Sequence, residues 1–161
     1  MEDFEMTQWV FCIKNVLYHT VRNDPAGTWQ NFWGDVMGQV GPAPGPIVDV
    51  DCDVDTKGNL QLIIRANNKI WHTVRNANGS WQNFWGDVYG QSGTPPQPIK
   101  LMTCAAGHDD SFQIMILLAD EKTVLHTVRN PNGTWQSAWG NVNGQVGALP
   151  APPVPQFLAG G

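Results

Sequence analysis

Four residue types that can recognise polar ligands recur along the chain with a period of about 50 residues. They are the histidines His19, His72 and His126, the arginines Arg22, Arg75 and Arg129, the tryptophans Trp33, Trp85 and Trp139, and the polar residues Asp35, Asp87 and Asn141. An indole ring can pack against the apolar face of a sugar, while a few fixed donors and acceptors address its hydroxyls. If each set converges between repeats, the chain forms equivalent shallow carbohydrate sites whose weak binding is strengthened by multivalency.

These recurrences also have structural interpretations. Trp29, Trp81 and Trp135 each follow a Gly-Thr or Gly-Ser step, which favours a ring that closes a hairpin over the core. The repeated His and Arg residues either bind a ligand or tie strands together, through an Arg–Asp pair or a histidine–carbonyl hydrogen bond. Both interpretations of the His and Arg residues stay open at the level of the sequence.

An internal repeat supplies the elements that must position these residues. The string HTVRN occurs at 19–23, 72–76 and 126–130, and WQNFWGDV is identical at 29–36 and 81–88, with WQSAWGNV as the third copy. A fixed period of this length is typical of repeat architectures. We divide the single domain, 1–161, into repeats at approximately 1–46, 47–98 and 99–152, followed by a segment at 153–161.

Each repeat has the pattern of a four-stranded unit. In the second repeat, strict alternation predicts a strand over 47–54, and β-rich runs predict strands over 60–65 and 70–75, joined by a turn at Asn67-Asn68. A further strand is expected over 80–84. No stretch has the period of a long helix. The predicted fold class is all-β: a β-propeller of four-stranded blades, three per chain.

The two ends of the chain predict assembly with another copy. When the repeats are aligned on HTVRN, residues 7–12 fall opposite 60–65, so the first repeat begins at its second strand. Residues 154–158 fall where the first strand of a further blade belongs. Three blades cannot close on themselves, because each would turn through about 120° at sheet-packing distance. We expect a homodimer forming one six-bladed ring, with 153–161 as the closing strand. Three chains forming nine blades, and a fragment of a longer protein, are the alternatives.

The unit IWHTVRNANGSWQNFWGDVYGQSG at 70–93 resembles the repeat of the Photorhabdus-type bacterial propeller lectins. All three repeats carry the resemblance, so it covers most of the chain. It implies a propeller that binds fucose or related sugars in pockets between neighbouring blades and that forms oligomers. The chain departs from this family in having fewer repeats and in the added tryptophans Trp33, Trp85 and Trp139, which alter the expected pocket.

Charge and composition argue against several other functions. Nine Lys and Arg residues against fourteen Asp and Glu residues give a net charge of -5, which disfavours nucleic acid as a partner. No apolar stretch reaches the roughly 18 residues that span a bilayer. The acidic start at 1–5 is unlike a signal peptide, so we expect a soluble chain that is cytoplasmic or non-classically released. Cys12, Cys52 and Cys104 form no CxxC pair, which favours reduced thiols over disulfides or a zinc site.

The sequence predicts no cofactor, metal or catalytic site. The alternate acids of 49–55 lie on one face of a strand, but neighbours about 7 Å apart cannot all hold one calcium ion. The repeated acid at Asp35 and Asp87 becomes Asn141, so no pair of carboxylates suited to hydrolysis recurs. The alternative to a lectin is a non-catalytic protein-interaction scaffold that uses one broad face of the propeller.

Overall fold

The computed structural model describes residues 6–150, in which each repeat contributes one antiparallel sheet of four strands. The first sheet contains β1 (Met6–Ile13), β2 (Val16–Asn23), β3 (Thr28–Trp29) and β4 (Gly34–Asp35). The second contains β5 (Ile47–Val54), β6 (Leu60–Ala66), β7 (Lys69–Arg75) and β8 (Gly86–Asp87). The third contains β9 (Ile99–Ala106), β10 (Phe112–Leu118), β11 (Val124–Arg129) and β12 (Gly140–Asn141). The helices are short: α1 (Val36–Val40), α2 (Val88–Ser92) and α3 (Asn143–Val146). The all-β prediction is confirmed.

Two-residue turns join the central strands of the first and second sheets. Asn67 and Asn68 connect β6 to β7 with φ angles of 52° and 58°, and Lys14 and Asn15 connect β1 to β2 with φ angles of 49° and 66°. Positive φ at both central residues is the type I′ geometry, whose twist matches that of the paired strands. Asparagine tolerates this region better than most residues, so the Asn67-Asn68 signal correctly predicted the hairpin.

The strand predicted over 80–84 is wrong. Only Trp81 forms an isolated bridge there, and regular pairing resumes at β8. The carbonyl of Gln82 accepts a hydrogen bond from Thr73 Oγ1 at 3.4 Å, and its Nε2 donates to the Phe84 carbonyl at 3.3 Å. Such side-chain bonds to the backbone compete with the strand ladder. The chain therefore bends here, and the Phe84 side chain is left exposed.

The first sheet begins one strand position later than the other two. β1 pairs with β2 in the register that β6 has with β7, so Gln8 and Gln61 occupy equivalent places. Within residues 6–150, the first sheet has no strand at the position of β5 and β9. This arrangement agrees with the alignment of the repeats, whereas the predicted closing strand over 154–158 lies outside the described residues.

Apolar side chains fill the spaces between the sheets. The cluster between the first and second sheets includes the buried residues Leu17, Val36, Val40, Leu62, Ile64 and Ala66. The cluster between the second and third sheets includes Ile63, Val88, Phe112, Ile114, Ile116 and Leu118. Each fully buried aliphatic or phenyl side chain contributes about 1.5–3 kcal/mol relative to exposure. The hydrophobic core therefore lies at the interfaces between repeats.

The acidic residues of β5 connect the second sheet to the third. Asp51 Oδ2 accepts hydrogen bonds from Thr103 Oγ1 at 2.8 Å and from the Cys104 backbone N–H at 2.9 Å. Asp53 Oδ2 accepts one from the Ala106 backbone N–H at 2.8 Å. The Oδ1 atoms of the two aspartates accept the N–H of the residue that follows each in β5. These carboxylates therefore satisfy backbone donors on β5 and β9, which are edge strands of their sheets.

Residues 6–150 have no feature of a metal site or of a membrane-spanning helix, and their cysteines are free. That part of the chain contains no cluster of three or more His, Cys, Asp or Glu side chains able to hold a metal ion. None of its helices has the length and apolar character needed to span a membrane. The cysteines are free, and Cys104 is buried. Burial raises the pKa of Cys104 and raises that of Cys52 to about 12, with nearby Asp51 acting in the same direction.

Candidate functional site

The repeated histidines tie adjacent strands together. Each histidine Nε2 lies 2.9 Å from the Oε1 atom of a glutamine on the neighbouring strand; the pairs are His19–Gln8, His72–Gln61 and His126–Gln113. His19 and His72 are each only 3% exposed. The sequence allowed a histidine–carbonyl hydrogen bond between strands. The observed contact is of this kind, but the carbonyl belongs to a glutamine side chain.

The first tryptophan of a repeat packs on the histidine of the preceding repeat. The Trp81 ring meets His19 edge-on, with centroids 5.5 Å apart and an interplanar angle of 90°. Trp135 meets His72 in the same way, at 5.4 Å and 83°. These tryptophans therefore stabilise the interfaces between sheets, where aromatic pairs of this geometry add to the energy of burial.

Burial keeps these histidines neutral. Burial, followed by the charge of Arg75, lowers the pKa of His19 to about 4. Burial, followed by the charge of Arg129, lowers the pKa of His72 to about 3. Burial also lowers the pKa of His126, whose ring is less covered. A neutral ring with one nitrogen committed to glutamine is suited to holding two strands together.

The second tryptophan of a repeat attaches it to the connection that precedes it. Trp85 Nε1 donates to the Gly41 carbonyl at 3.0 Å, and Trp139 Nε1 donates to the Gly93 carbonyl at 2.8 Å. Trp33, the equivalent residue of the first repeat, is 54% exposed. Two of the three predicted binding tryptophans therefore have a structural hydrogen bond.

The repeated acid and its asparagine counterpart hold the start of each short helix. The side-chain Oδ1 accepts a backbone N–H three residues later, at 3.1 Å in each case; the pairs are Asp35–Gly38, Asp87–Gly90 and Asn141–Gly144. Asp35 and Asp87 are the N-caps of α1 and α2, whereas Asn141 makes the same contact from one residue before Val142, which precedes α3. Although burial acts in the opposite direction, hydrogen bonds from Lys69 and from the helix backbone lower the pKa of Asp87.

The three arginines have different partners. Arg22 forms an ion pair with Asp24 within the first repeat. Arg75 reaches from the second sheet to the first, where its Nη1 donates to Gln8 Oε1 at 3.3 Å. Arg129 faces a cleft between the second and third sheets. Burial lowers the pKa of Arg75 and of Arg129, so both guanidinium groups are partly withdrawn from solvent.

This cleft has a volume of about 390 Å³ and predominantly polar walls. The second sheet and its turns contribute Asp55, Lys57, Asn59, Gln61, Val74, Asn76 and Gln82, and the third contributes Asp110, Arg129 and Pro131. The volume is within the range of about 300–1,000 Å³ that is typical of small-molecule sites. The cleft is therefore large enough for a small polar ligand.

Asp55 is the buried acceptor of the cleft. Its side chain is held by the backbone N–H groups of Lys57 and Asn59, at 3.1 and 2.9 Å, and by the side-chain amides of Asn59 and Gln61, at 3.0 and 3.2 Å. The residue is 8% exposed. The Arg129 guanidinium is close enough for the charge of Asp55 to raise its pKa, against the larger lowering by burial. The turn thus holds the Asp55 carboxylate in place, and the Arg129 guanidinium offers donors to the same cleft.

Asp55 was not predicted as a site residue. In the sequence it is the last of a row of alternate acids, and no recurrence marks it, because the third repeat has Gly107 at the equivalent position. Gln61 was also missed, although glutamine recurs as Gln8 and Gln113. Recurrence of the glutamines was the available signal, since each one contacts the histidine of its own repeat.

Two pockets of a different character lie beside Trp33 on the first sheet. One, of about 180 Å³, is lined by Phe11, Ile13, Tyr18 and Trp33. The other, of about 320 Å³, is lined by Thr20, Trp29, Gln30, Asn31, Phe32 and Trp33. The structure therefore does not bring the predicted His, Arg, Trp and Asp residues of a repeat into one pocket among residues 6–150. It places Arg129 in the cleft, bonds each histidine to a glutamine, and uses Asp35 and Asp87 as helix caps.

No protein-family model matches the chain, and a search of curated proteins finds no significant match.

Proposed function

We propose that the protein is a multivalent, non-catalytic lectin that binds fucose or related sugars in clefts between adjacent sheets. The observation that carries this proposal is the cleft between the second and third sheets, where Arg129 faces the buried carboxylate of Asp55. In this proposal the three sheets are blades of a β-propeller, since they share their hydrophobic cores in chain order.

The polar groups of the cleft match the chemistry of a sugar hydroxyl. A hydroxyl both donates and accepts, so its recognition requires acceptors and donors fixed close together. Arg129 supplies donors, and the side-chain carbonyl of Gln82 supplies an acceptor, since its Nε2 already donates to the Phe84 carbonyl. Asp55 is itself held by several hydrogen bonds, so little side-chain freedom remains to be lost on binding. Val74 offers an apolar surface to the C–H groups of a sugar ring.

The proposed multivalency rests on equivalent positions in other repeats. Arg75 stands between the first and second sheets where Arg129 stands between the second and third. Its contact with Gln8 is long, at 3.3 Å, and a sugar hydroxyl that displaced this contact would accept a hydrogen bond from the guanidinium. Weak sites of this kind would gain strength together on a surface that displays many sugars.

A glycan array followed by calorimetric titration with methyl fucoside tests the proposal. We expect binding to fucosylated or related glycans, and we expect Arg129→Gln or Gln82→Ala to weaken the cleft site by roughly 10-fold or more, as loss of a hydrogen bond to a charged or buried group does. Gln91→Ala is the matched control, because this glutamine is exposed on α2 and does not line the cleft.

The possible outcomes separate the two candidate classes of function. Sugar binding that is weakened by Arg129→Gln but not by Gln91→Ala supports the lectin proposal and its site. Sugar binding that both variants retain would move the site away from this cleft. A folded protein that ignores every glycan would contradict the lectin proposal and favour a protein-interaction scaffold.

A further inference from the structure

The first sheet exposes an apolar row that is fully buried in the other two sheets. Trp9, Phe11 and Ile13, on one face of β1, are 45%, 50% and 56% exposed. The equivalent residues of β6 and β10 are all 0% exposed; they are Leu62, Ile64 and Ala66 in the second sheet and Ile114, Ile116 and Leu118 in the third. Those residues face the preceding sheet. The β1 row therefore has the character of an interface with no sheet packed on it within the described residues.

Two tryptophans extend this exposed face, which we call the leading face. Trp29 and Trp33 are each 54% exposed. Their counterparts in the second and third repeats, Trp81 and Trp85 and then Trp135 and Trp139, pack against the core shared with the preceding sheet. An exposed patch of this size and composition is unusual on a soluble protein and marks an interaction surface.

The opposite face of the third sheet, which we call the trailing face, has the converse pattern. Val146 is 78% exposed, whereas its counterparts Val40 and Ser92 are 3% and 1% exposed. His126 is partly exposed where the two earlier repeats bury their histidine. Leu149, just beyond α3, is 44% exposed. The residues equivalent to these in the first two repeats are covered by the sheet that follows.

The two interfaces within the chain are made by the same two kinds of contact. The leading face has one partner, or half, of each contact, and the trailing face has the other. In the first contact, a tryptophan packs on the histidine of the preceding repeat. On the two open faces, the corresponding residues are Trp29 and His126. An indole N–H donates to the glycine that ends the preceding short helix, and here the halves are Trp33 and Gly147. The halves are complementary between the faces: the leading face has the indole donors, and the trailing face has the carbonyl acceptor.

We infer that two copies of this chain associate head to tail, with the leading face of one packed on the trailing face of the other. The contact continues the two interfaces already present within the chain. A pairing of like faces would bring donors against donors, so the complementary halves specify the head-to-tail arrangement. In such a contact Trp29 covers His126 of the second copy, and Trp33 donates to its Gly147.

The association also builds a cleft that neither copy forms alone. Arg22 of one copy would stand beside Gln113 of the second, in the relation that Arg75 has to Gln8 within the chain. That this cleft binds a sugar rests on the proposed function. The association itself does not, because it follows from apolar burial and the complementary halves.

Sedimentation equilibrium of the full chain without sugar tests the association. We compare the wild type with Ile13→Asp, which places a charge on the leading face, and with Val146→Asp, which places one on the trailing face. Both side chains are more than half exposed, so neither change disrupts the fold of the single chain. Val48→Asp is the matched control, because Val48 is 65% exposed in β5 and lies on neither face.

The expected results are specific to a head-to-tail contact. The wild type and Val48→Asp sediment as the same oligomer, and each blocked variant alone sediments as a monomer. An equimolar mixture of the two blocked variants forms a complex of twice the chain mass, because one intact leading face meets one intact trailing face. A monomeric wild type, a blocked variant that keeps the wild-type mass, or a mixture that stays monomeric would each overturn the inference. None of these results depends on sugar binding, so failure here is distinguishable from failure of the lectin proposal.

Discussion

Acidification should destabilise the fold through His72. The ring is 3% exposed, and burial together with the charge of Arg129 lowers its pKa to about 3 in the folded protein. A histidine in the unfolded chain titrates near its ordinary value of about 6.5. Because the folded pKa is the lower one, the contribution of this residue to stability is fully present above about pH 6.5. It is lost progressively as the pH falls from there toward 3.

The size of the effect follows from the two pKa values. At pH 5 most unfolded chains have bound a proton at residue 72 and almost no folded chains have. The pKa of the unfolded chain lies about 1.5 units above this pH, so proton binding favours the unfolded state by about 2 kcal/mol. This is a large share of the 5–15 kcal/mol that is typical of a domain.

Urea denaturation at pH 8 and pH 5, at one protein concentration, measures this effect. His72→Gln removes the titrating ring but keeps a donor for Gln61 Oε1, so the pH-dependent loss of unfolding free energy should shrink by about 2 kcal/mol relative to the wild type. His126→Gln is the comparison, made in the Val146→Asp background so that Trp29 of a second copy does not cover the ring; this ring is less covered within the chain, and its change should be smaller. If His72→Gln loses as much stability between the two pH values as the wild type does, the histidine is not the buried neutral group described here.

Three further results are expected from contacts between the sheets. Trp139→Phe removes an indole donor bonded at 2.8 Å and should cost about 1 kcal/mol in urea denaturation; in the Val146→Asp background, which is expected to be monomeric, Trp33→Phe, at a half-exposed ring, should cost less. Asp51→Ala leaves the backbone N–H of Cys104 without its acceptor and should cost about 1–3 kcal/mol; an unchanged midpoint would refute the proposed link between β5 and β9. Cys104 and Cys52 should react with a thiol reagent at pH 8 far more slowly in the native protein than after unfolding in guanidinium, because burial raises the pKa of both thiols.

The long strands could be predicted from the sequence, but the fourth strand of each sheet could not. Alternation and β-branched residues identified β5, β6 and β7 to within one residue, because those segments are regular and partly or wholly buried. The short β8 strand pairs with only two residues of β7. Its position depends on where Gln82 turns the chain by bonding to backbone groups, and alternation does not detect such bonds.

The roles of the repeated residues could not be decided from recurrence, because an interface and a binding site both preserve residue types. His19 and His72 recur for the sake of packing, as their burial and their glutamine partners show. The glutamines themselves were visible in the sequence, on the strand that precedes each histidine. A polar residue that recurs beside a second polar residue on a neighbouring strand is more simply explained as a buried pair than as a ligand contact.

The third repeat has a carboxylate near the position equivalent to Asp55, but a different residue supplies it. In the third repeat this position is Gly107, and a β-carbon there would lie 2.5 Å from Asp109 Oδ1. The glycine therefore makes room for a carboxylate that comes from two residues further along the chain. Asp109 is held by the backbone N–H and the hydroxyl of Ser111, at 3.1 and 2.6 Å, much as Asp55 is held by the residues that follow it.

The packing of the sheet interfaces and the charge of the cleft therefore place different requirements on the residues of a repeat. The interfaces require particular shapes, so His, Trp and the capping residues recur at fixed positions. A cleft requires a charged side chain at a particular place, and a turn can supply that side chain from more than one sequence position. Recurrence alone therefore does not separate packing residues from cleft residues, since His72 packs and Arg129 lines the cleft. The carboxylates that line the cleft are Asp55 and Asp110, whereas the acids at positions 35 and 87 cap short helices.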